Sequence, residues 1–568
     1  MFLERIEIVG FRGINRLSLT LHDNVVLIGE NAWGKSSLLD ALTLLFTPGT
    51  ALYQFRSHDF HHPIGDEYAR HNHLHIVLTF CAREIDSPEM PKFQSFNSLW
   101  IKGTDGLSRI FYRLEGEFID ESRITTSRSF LNISGQALAL DNVDELAREI
   151  VRLHPVLRLR DARFNQRFRR AIASDSSISN TTTAKPENAE LIQELSKLAE
   201  ELECNPQRLN NQDLKQGLQA IHALLNHYFS ALDTLDNRDP THYPIQDKID
   251  NYRHNSQLWQ SLNYLNQLIS EPESRNMRMI LLRLFSTLIH ANGTEHLDIN
   301  AVPLLLIEDP ESRLHPIMLS AVWGLLNNLP MQKITTTNSG DLLSLVSLEN
   351  IYRLVRQSNR VAAFHLGADD LNVLERRRIS FHIRLNRASS LFARSWLLVE
   401  GETEVWLLTE LARQCGYHFE TEGIKVIEFA QSGLKPLLKY ASRMGIEWHV
   451  LVDGDDAGKK YAETVRAFLQ GSSESAHDRL TQLPALDIEH FMFREGFSAV
   501  YSEASGLPKE VHLPMRKIIS KAIQHSSKPD LAIDVADRAG EKGTESIPPL
   551  LKRMFSRILW LARGRSGH

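Results

Sequence analysis

The sequence predicts an α/β protein with two modules in series, and three observations carry that expectation. Residues 25 to 29 form an apolar strand that runs straight into a glycine loop and then an apolar helix. A second apolar run, Leu304 to Ile307, ends on two acids, Glu308 and Asp309. From Trp396 onward a fresh β-α-β pattern begins, and acidic residues stand where its strands end.

The first module opens with residues 2 to 9 as a strand and reaches the strand 25 to 29 through a short turn. The loop that follows, Gly29-Glu30-Asn31-Ala32-Trp33-Gly34-Lys35-Ser36-Ser37, satisfies G-x-x-x-x-G-K-[ST]. In that pattern backbone amides cradle phosphates, Lys35 reaches the β and γ oxygens, and the Ser36 hydroxyl binds magnesium. The helix from Ser36 to Phe46 completes a strand, loop, helix unit. Apolar stretches at His75 to Phe80 and Ile110 to Leu114 add antiparallel strands, so a sheet of mixed direction is expected. The strand at Leu304 would deliver Glu308 to magnesium through water and Asp309 to the attacking water.

Near residue 173 the composition turns to Ser, Thr and Asn, which marks a linker. Leucines then recur at helical spacing: Leu191, Leu195, Leu198, Leu202, then Leu214, Leu218, Ile221, Leu225, then Leu258, Leu262, Leu265, Ile269. Residues 173–270 therefore read as a helical insertion that packs as a bundle or pairs two copies as a homodimer. The nucleotide module, residues 1–385, resumes after it.

Residues 390–568 form the second α/β module. Glu400 ends a strand and Glu404 follows one helical turn later, so both carboxylates can face one point. Asp453-Gly454-Asp455 repeats the arrangement after the strand His449 to Val452, with Gly454 allowing a tight turn. Asp487 and Glu489 add a third acidic group. Hard oxygen ligands of this kind suit magnesium or manganese.

Composition narrows the classes further. A net charge of −6, from 64 Lys and Arg against 70 Asp and Glu, excludes a uniformly basic nucleic-acid coat but permits a local basic face. Lys552, Arg553, Arg557, Arg563 and Arg565 interleave with Phe555 and Trp560, an amphipathic closing helix that could also guide a DNA backbone. Three scattered cysteines form no zinc spacing and read as reduced thiols. With no long apolar run and a charged N-terminal strand, a soluble cytoplasmic protein without a membrane partner is expected.

Phe11-Arg12-Gly13, the loop GENAWGKSSLLDAL and the string LLLIEDPESRLHP make the first module resemble the ABC-type ATPases of the RecF, SMC and OLD group. The acids after residue 400 look like a Toprim domain, the metal-dependent fold of topoisomerases, DnaG-type primases and OLD-family nucleases. The resemblance to the OLD family implies an ATP-dependent DNA endonuclease or nickase with two metal ions, acting in DNA repair or phage defence. It places Glu400, Asp453, Asp455 and Asp309 among the catalytic groups and Asp487 and Glu489 at the second metal. Lys542 would stabilise charge on the phosphate.

Three departures from the family pattern accompany it. Ser274, placed at the signature helix, lacks the neighbouring glycines; Asn338 stands where a switch histidine is usual; and Asp309 is one methylene shorter than glutamate. They predict slow hydrolysis or an ATP-binding switch. Two rivals stand beside the nuclease reading: a non-cutting, ATP-gated DNA-binding or assembly protein, and a Toprim nucleotidyl transferase.

Overall fold

The computed structural model describes residues 1–46, 51–62, 71–120, 123–159, 301–313, 316–327, 331–471, 473–507 and 513–564. The predicted helical insertion and Ser274 lie outside these. The chain divides into two compact units, Met1–Val346 with Leu354–Ala363 and Ser347–Arg353 with Phe364–His568.

The larger sheet has twelve strands: β1 (Phe2–Phe11), β2 (Ile14–Thr20), β3 (Asn24–Ile28), β4 (His73–Cys81), β5 (Ile101–Lys102), β6 (Ser108–Asp120), β7 (Arg123–Leu131), β8 (Val156–Leu159), β9 (Leu304–Glu308), β10 (Gln332–Thr336), β11 (Ile351–Arg356) and β12 (Val361–His365). Their order is β5-β6-β4-β1-β2-β12-β11-β3-β10-β9-β8, with β7 beside β6. Its direction is mixed, as the sequence led one to expect. Strands β1, β2, β4, β5, β6 and β7 pair antiparallel, whereas β3, β10, β9 and β8 form a parallel block.

One strand departs from the sequence reading. The segment read as a turn between the first two strands contains β2, an antiparallel partner of β1. Its Ile14, Leu17 and Leu19 are buried and alternate with more exposed residues, the period-two pattern of a half-buried strand.

The parallel block is what builds a site. Its strands are almost fully buried, so their C-terminal ends are held level by register: Thr336 of β10 lies opposite both Leu27 of β3 and Glu308 of β9. The chain leaves β3 into the glycine loop, β9 into Asp309 and β10 into Thr337 and Asn338, all on one edge.

The second unit holds a four-stranded, all-parallel sheet: β13 (Ser395–Val399), β14 (Ile424–Glu428), β15 (Glu447–Val452) and β16 (Leu480–Gln482), in the order β14-β13-β15-β16. Helix Glu402–Gln414 follows β13, helix Leu434–Arg443 follows β14 and helix Asp456–Leu469 follows β15. A core from Leu397, Leu407, Leu411, Val535, Phe555 and Ile558 packs two later helices, Lys528–Lys542 and Pro549–Ala562, into the same unit. None of the described helices is long and apolar enough to cross a membrane.

Candidate functional site

At the glycine loop three residues carry positive φ: Gly29 (+152°), Ala32 (+69°) and Gly34 (+97°). A Cβ on Gly29 would stand 2.7 Å from the Leu354 carbonyl oxygen, so glycine is required there by contact as well as by conformation. Helix Lys35–Phe46 begins immediately after, which leaves its first amides facing the loop. Asn31 and Ser36 are exposed and Glu30 is partly exposed. The Ser37 hydroxyl accepts from the Gly13 amide at 3.2 Å and ties the loop to the Arg12-Gly13 turn.

Lys35 is buried, 7% exposed, and its ammonium donates to the Gly29 carbonyl at 2.5 Å and to Asn338 Oδ1 at 2.7 Å. Burial lowers its pKa, while the charges of Asp309 and Glu311 work the other way. Asp309 has φ of +42°, a rarely populated region for a non-glycine residue, and is pinned by Thr336, whose hydroxyl donates to its Oδ1 at 3.3 Å. Burial raises the Asp309 pKa against the pull of Lys35. Glu311 accepts from the Asn338 amide at 2.8 Å and also has its pKa raised by burial. Sequence reasoning passed over Glu311; its signal was the third acid of Glu308-Asp309-Pro310-Glu311. Glu308 lies at the end of β9, where its carboxylate pairs with Arg158 of β8 at 2.7 Å.

In the second unit the acids converge from three connections. The Asp453 amide donates to Glu400 Oε1 at 2.9 Å, joining the ends of β13 and β15. Glu404 sits in the first turn of its helix, 8% exposed, with a pKa raised by burial and by Glu489 and Glu400. Asp455 caps helix Asp456–Leu469 by accepting from the Gly458 amide at 2.7 Å, and Asp487 caps helix Ile488–Met492 by accepting from the His490 amide at 2.8 Å. Asp487 also meets His490 Nδ1 at 2.6 Å, and Glu489, 3% exposed, pairs with Lys528 at 2.8 Å.

The electrostatic sum falls on Asp453. Burial first, then the charges of Glu400, Glu404, Asp487 and Glu489, push its pKa up to about 8. Among the described residues, no group of three or more His, Cys, Asp or Glu side chains is drawn together as a finished metal cage. The carboxylates of Glu400, Asp455, Asp487 and Glu489 are each engaged by a protein donor. The donor set still fits a hard divalent cation: it is all oxygen, rich in carboxylate, and carries negative charge that Lys528 offsets in part.

Two details differ from the sequence reading. Gly454 is required by close approach and not by a positive φ: its Cβ would stand 2.3 Å from the Ala485 carbonyl oxygen and 2.6 Å from that of Leu483. Gly454→Ala is accordingly expected to lower the stability of the second unit by about 2–4 kcal/mol, within the range of severe backbone clashes, as checked by urea unfolding. The lysine facing the acids is Lys528, which the sequence analysis did not single out. Lys542, at the other end of the same helix about 21 Å away at ~1.5 Å per residue, donates to the Gly496 carbonyl at 2.9 Å and lies over the Phe497 ring. The closing helix buries Leu551, Phe555 and Ile558, and its Arg557 and Arg563 pair with Asp478 and Glu422.

Residues 1–390 match the family model described as "Protein of unknown function (DUF2813)", and residues 391–455 match "Overcoming lysogenization defect protein-like, TOPRIM domain". The chain belongs to the first of these families, DUF2813, and carries an OLD-like Toprim domain behind it. It is 56% identical over 567 residues to "Uncharacterized protein YbjD" of Escherichia coli (strain K12), covering all of both chains. Among solved structures, the C-terminal region of the Xanthomonas campestris pv. campestris OLD protein aligns at 15% identity over 30% of this chain and 95% of its own, with a TM-score of 0.26. The SMC head domain from Thermotoga maritima aligns at 12% identity over 65% of this chain and 100% of its own, also with a TM-score of 0.26. The chain is thus an α/β protein whose second unit carries an OLD-like Toprim domain over residues 391–455.

Proposed function

We propose that this chain is an ATP-binding, metal-dependent DNA endonuclease or nickase. The observation that carries the reading is Asp453, an acid surrounded by four others and holding its proton to about pH 8. Such a concentration of carboxylate is costly unless a cation shares it. Glu400, Glu404, Asp453, Asp455, Asp487 and Glu489 would hold magnesium or manganese. When bound, the cations supply Lewis acidity at a scissile phosphate and acidify the attacking water. Lys528, already beside Glu489, adds positive charge next to these acids. Glu400 fixes the Asp453 backbone, and Asp455 and Asp487 are oriented by their capping bonds.

The first unit binds ATP at Gly29 to Ser37, with Glu308 taking the nucleotide's magnesium. Asn338 already holds Lys35 at the position where a γ-phosphate would compete for it, and the Asp309 backbone is strained. Both features support slow turnover, so ATP acts as a switch on cutting. The insertion at 173–270 would pair two copies, and reducing cytoplasm suits the free thiols of Cys81 and Cys415. The family resemblance directs the same reaction to DNA repair or phage defence.

A second reading is a DNA-binding or assembly protein, gated by ATP, that does not cut. It is favoured by the protein donors already engaging Glu400, Asp455, Asp487 and Glu489. Supercoiled plasmid with magnesium or manganese separates the two. Glu400→Gln is expected to reduce nicking at least ~100-fold, since each 1.4 kcal/mol of lost transition-state stabilisation is tenfold. No nicking by the wild type, or equal nicking by the variant, rejects the nuclease.

A further inference from the structure

Beside the nucleotide loop runs a line of alternating charges that neither the phosphate-loop pattern nor the acids of β9 announce. Arg158, near the end of β8, places Nη2 at 2.7 Å and Nε at 3.1 Å from Glu308 Oε2. Its Nη1 donates to Asp40 Oδ1 at 2.7 Å and to Thr43 Oγ1 at 3.3 Å on helix Lys35–Phe46. The other Asp40 oxygen accepts from Arg12 at 2.7 Å, and Arg12 continues to the buried Asp59 at 2.9 Å. The Arg158 side chain is 9% exposed and that of Glu308 15%, so the pair is largely shielded from water.

We propose that Arg158 is an internal cation that competes with magnesium for Glu308 and so sets the magnesium concentration needed for nucleotide binding. The inference rests on the reading of Gly29 to Ser37 as an ATP site. A guanidinium with two nitrogens on Oε2 occupies that oxygen's lone pairs and offsets the carboxylate charge that a magnesium-bound water would draw on. Arg158 is not free to leave on its own, because Asp40 and Thr43 hold the other side of the guanidinium. Glu308 therefore loses part of this pairing when it turns to the metal, while Arg158 keeps its bonds to Asp40 and Thr43. The fork geometry explains the residue type: a lysine could not bridge Asp40 and Glu308 in one plane. Arg158 acts here as a positioning residue, with no part in bond cleavage.

The test is magnesium dependence of binding, read with a fluorescent ATP analogue on the full chain. Arg158→Met is expected to lower the magnesium concentration at half-maximal binding about tenfold, the factor for about 1.4 kcal/mol of displaced pairing. Magnesium without nucleotide should also raise the unfolding temperature of Arg158→Met more than that of the wild type, since the metal then replaces the lost charge. Should Arg158→Met fail to fold, Arg158→Lys decides, with a smaller shift in the same direction. An unchanged or increased magnesium requirement, with wild-type binding intact, overturns the inference alone. No binding by the wild type, matched by Lys35→Ala, overturns the ATP reading and the inference with it.

Discussion

Asp453→Asn is expected to stop plasmid nicking and, without divalent metal, to make the second unit more stable at pH 9. In the unfolded chain this carboxyl ionises near its ordinary value of 3.8, whereas in the folded unit it keeps its proton to about pH 8. The group therefore costs nothing below pH ~4. Stability is lost progressively as pH rises from about 4 to 8, where the unfolded chain has released a proton that the folded unit retains, and the loss is complete above that. Asparagine removes the ionisation while keeping the shape.

At ~1.4 kcal/mol per pKa unit the upper bound is about 6 kcal/mol; partial solvent access reduces this to roughly 2–3 kcal/mol, or about 5–10 °C in unfolding temperature. Differential scanning calorimetry at pH 4.5 and pH 9 checks the sign, with the variant's advantage confined to the higher pH. Adding manganese should close the gap by stabilising the wild type. A variant no more stable than wild type at pH 9 would show that the five acids do not repel one another as the geometry requires.

Lys35→Ala is expected to abolish measurable ATP binding, a loss of at least ~100-fold. The ammonium is bonded to the Gly29 carbonyl of the loop, and burial has already removed part of its hydration, so it meets phosphate oxygens at lower desolvation cost than a surface lysine would. Two charge-assisted hydrogen bonds to phosphate, at about 1.5–3 kcal/mol each, account for the size of the loss. Calorimetric titration provides the measurement, and circular dichroism establishes that the variant is folded. Wild-type affinity would remove Gly29 to Ser37 from the nucleotide site.

Much of both sites was legible because their signals are local. The glycine loop needs Gly29 and Gly34 for backbone reasons that act within a few residues. Buried parallel strands read as apolar runs, so Leu304 to Ile307 and Trp396 to Val399 were found within one or two residues of their true ends. Acids just after such runs marked Glu308, Glu400 and Asp453. Strand β2 was missed because its alternation is short and broken by the adjacent polar pair Asn15 and Arg16. Glu311 was visible but stood in a string already assigned to other roles.

Arg158 and Lys528 carry no local signature at all. Each becomes significant only through a partner 150 or 39 positions away, Glu308 or Glu489. Gly454 was marked correctly for the wrong cause, since a tight turn can be inferred from D-G-D whereas the carbonyl of Ala485 cannot.

By itself, then, the sequence determined the strand, loop and helix units and the chemical types at their ends, because propensity, apolar periodicity and glycine conformation act over a few residues. The tertiary structure alone decided which ends meet. Register in the parallel block sets Glu308, Thr336 and Leu27 level, and burial, then the acids that three connections bring beside it, raise Asp453 to a pKa of about 8. Both are products of long-range packing, where the field at one carboxylate is a sum over residues that chain order keeps apart.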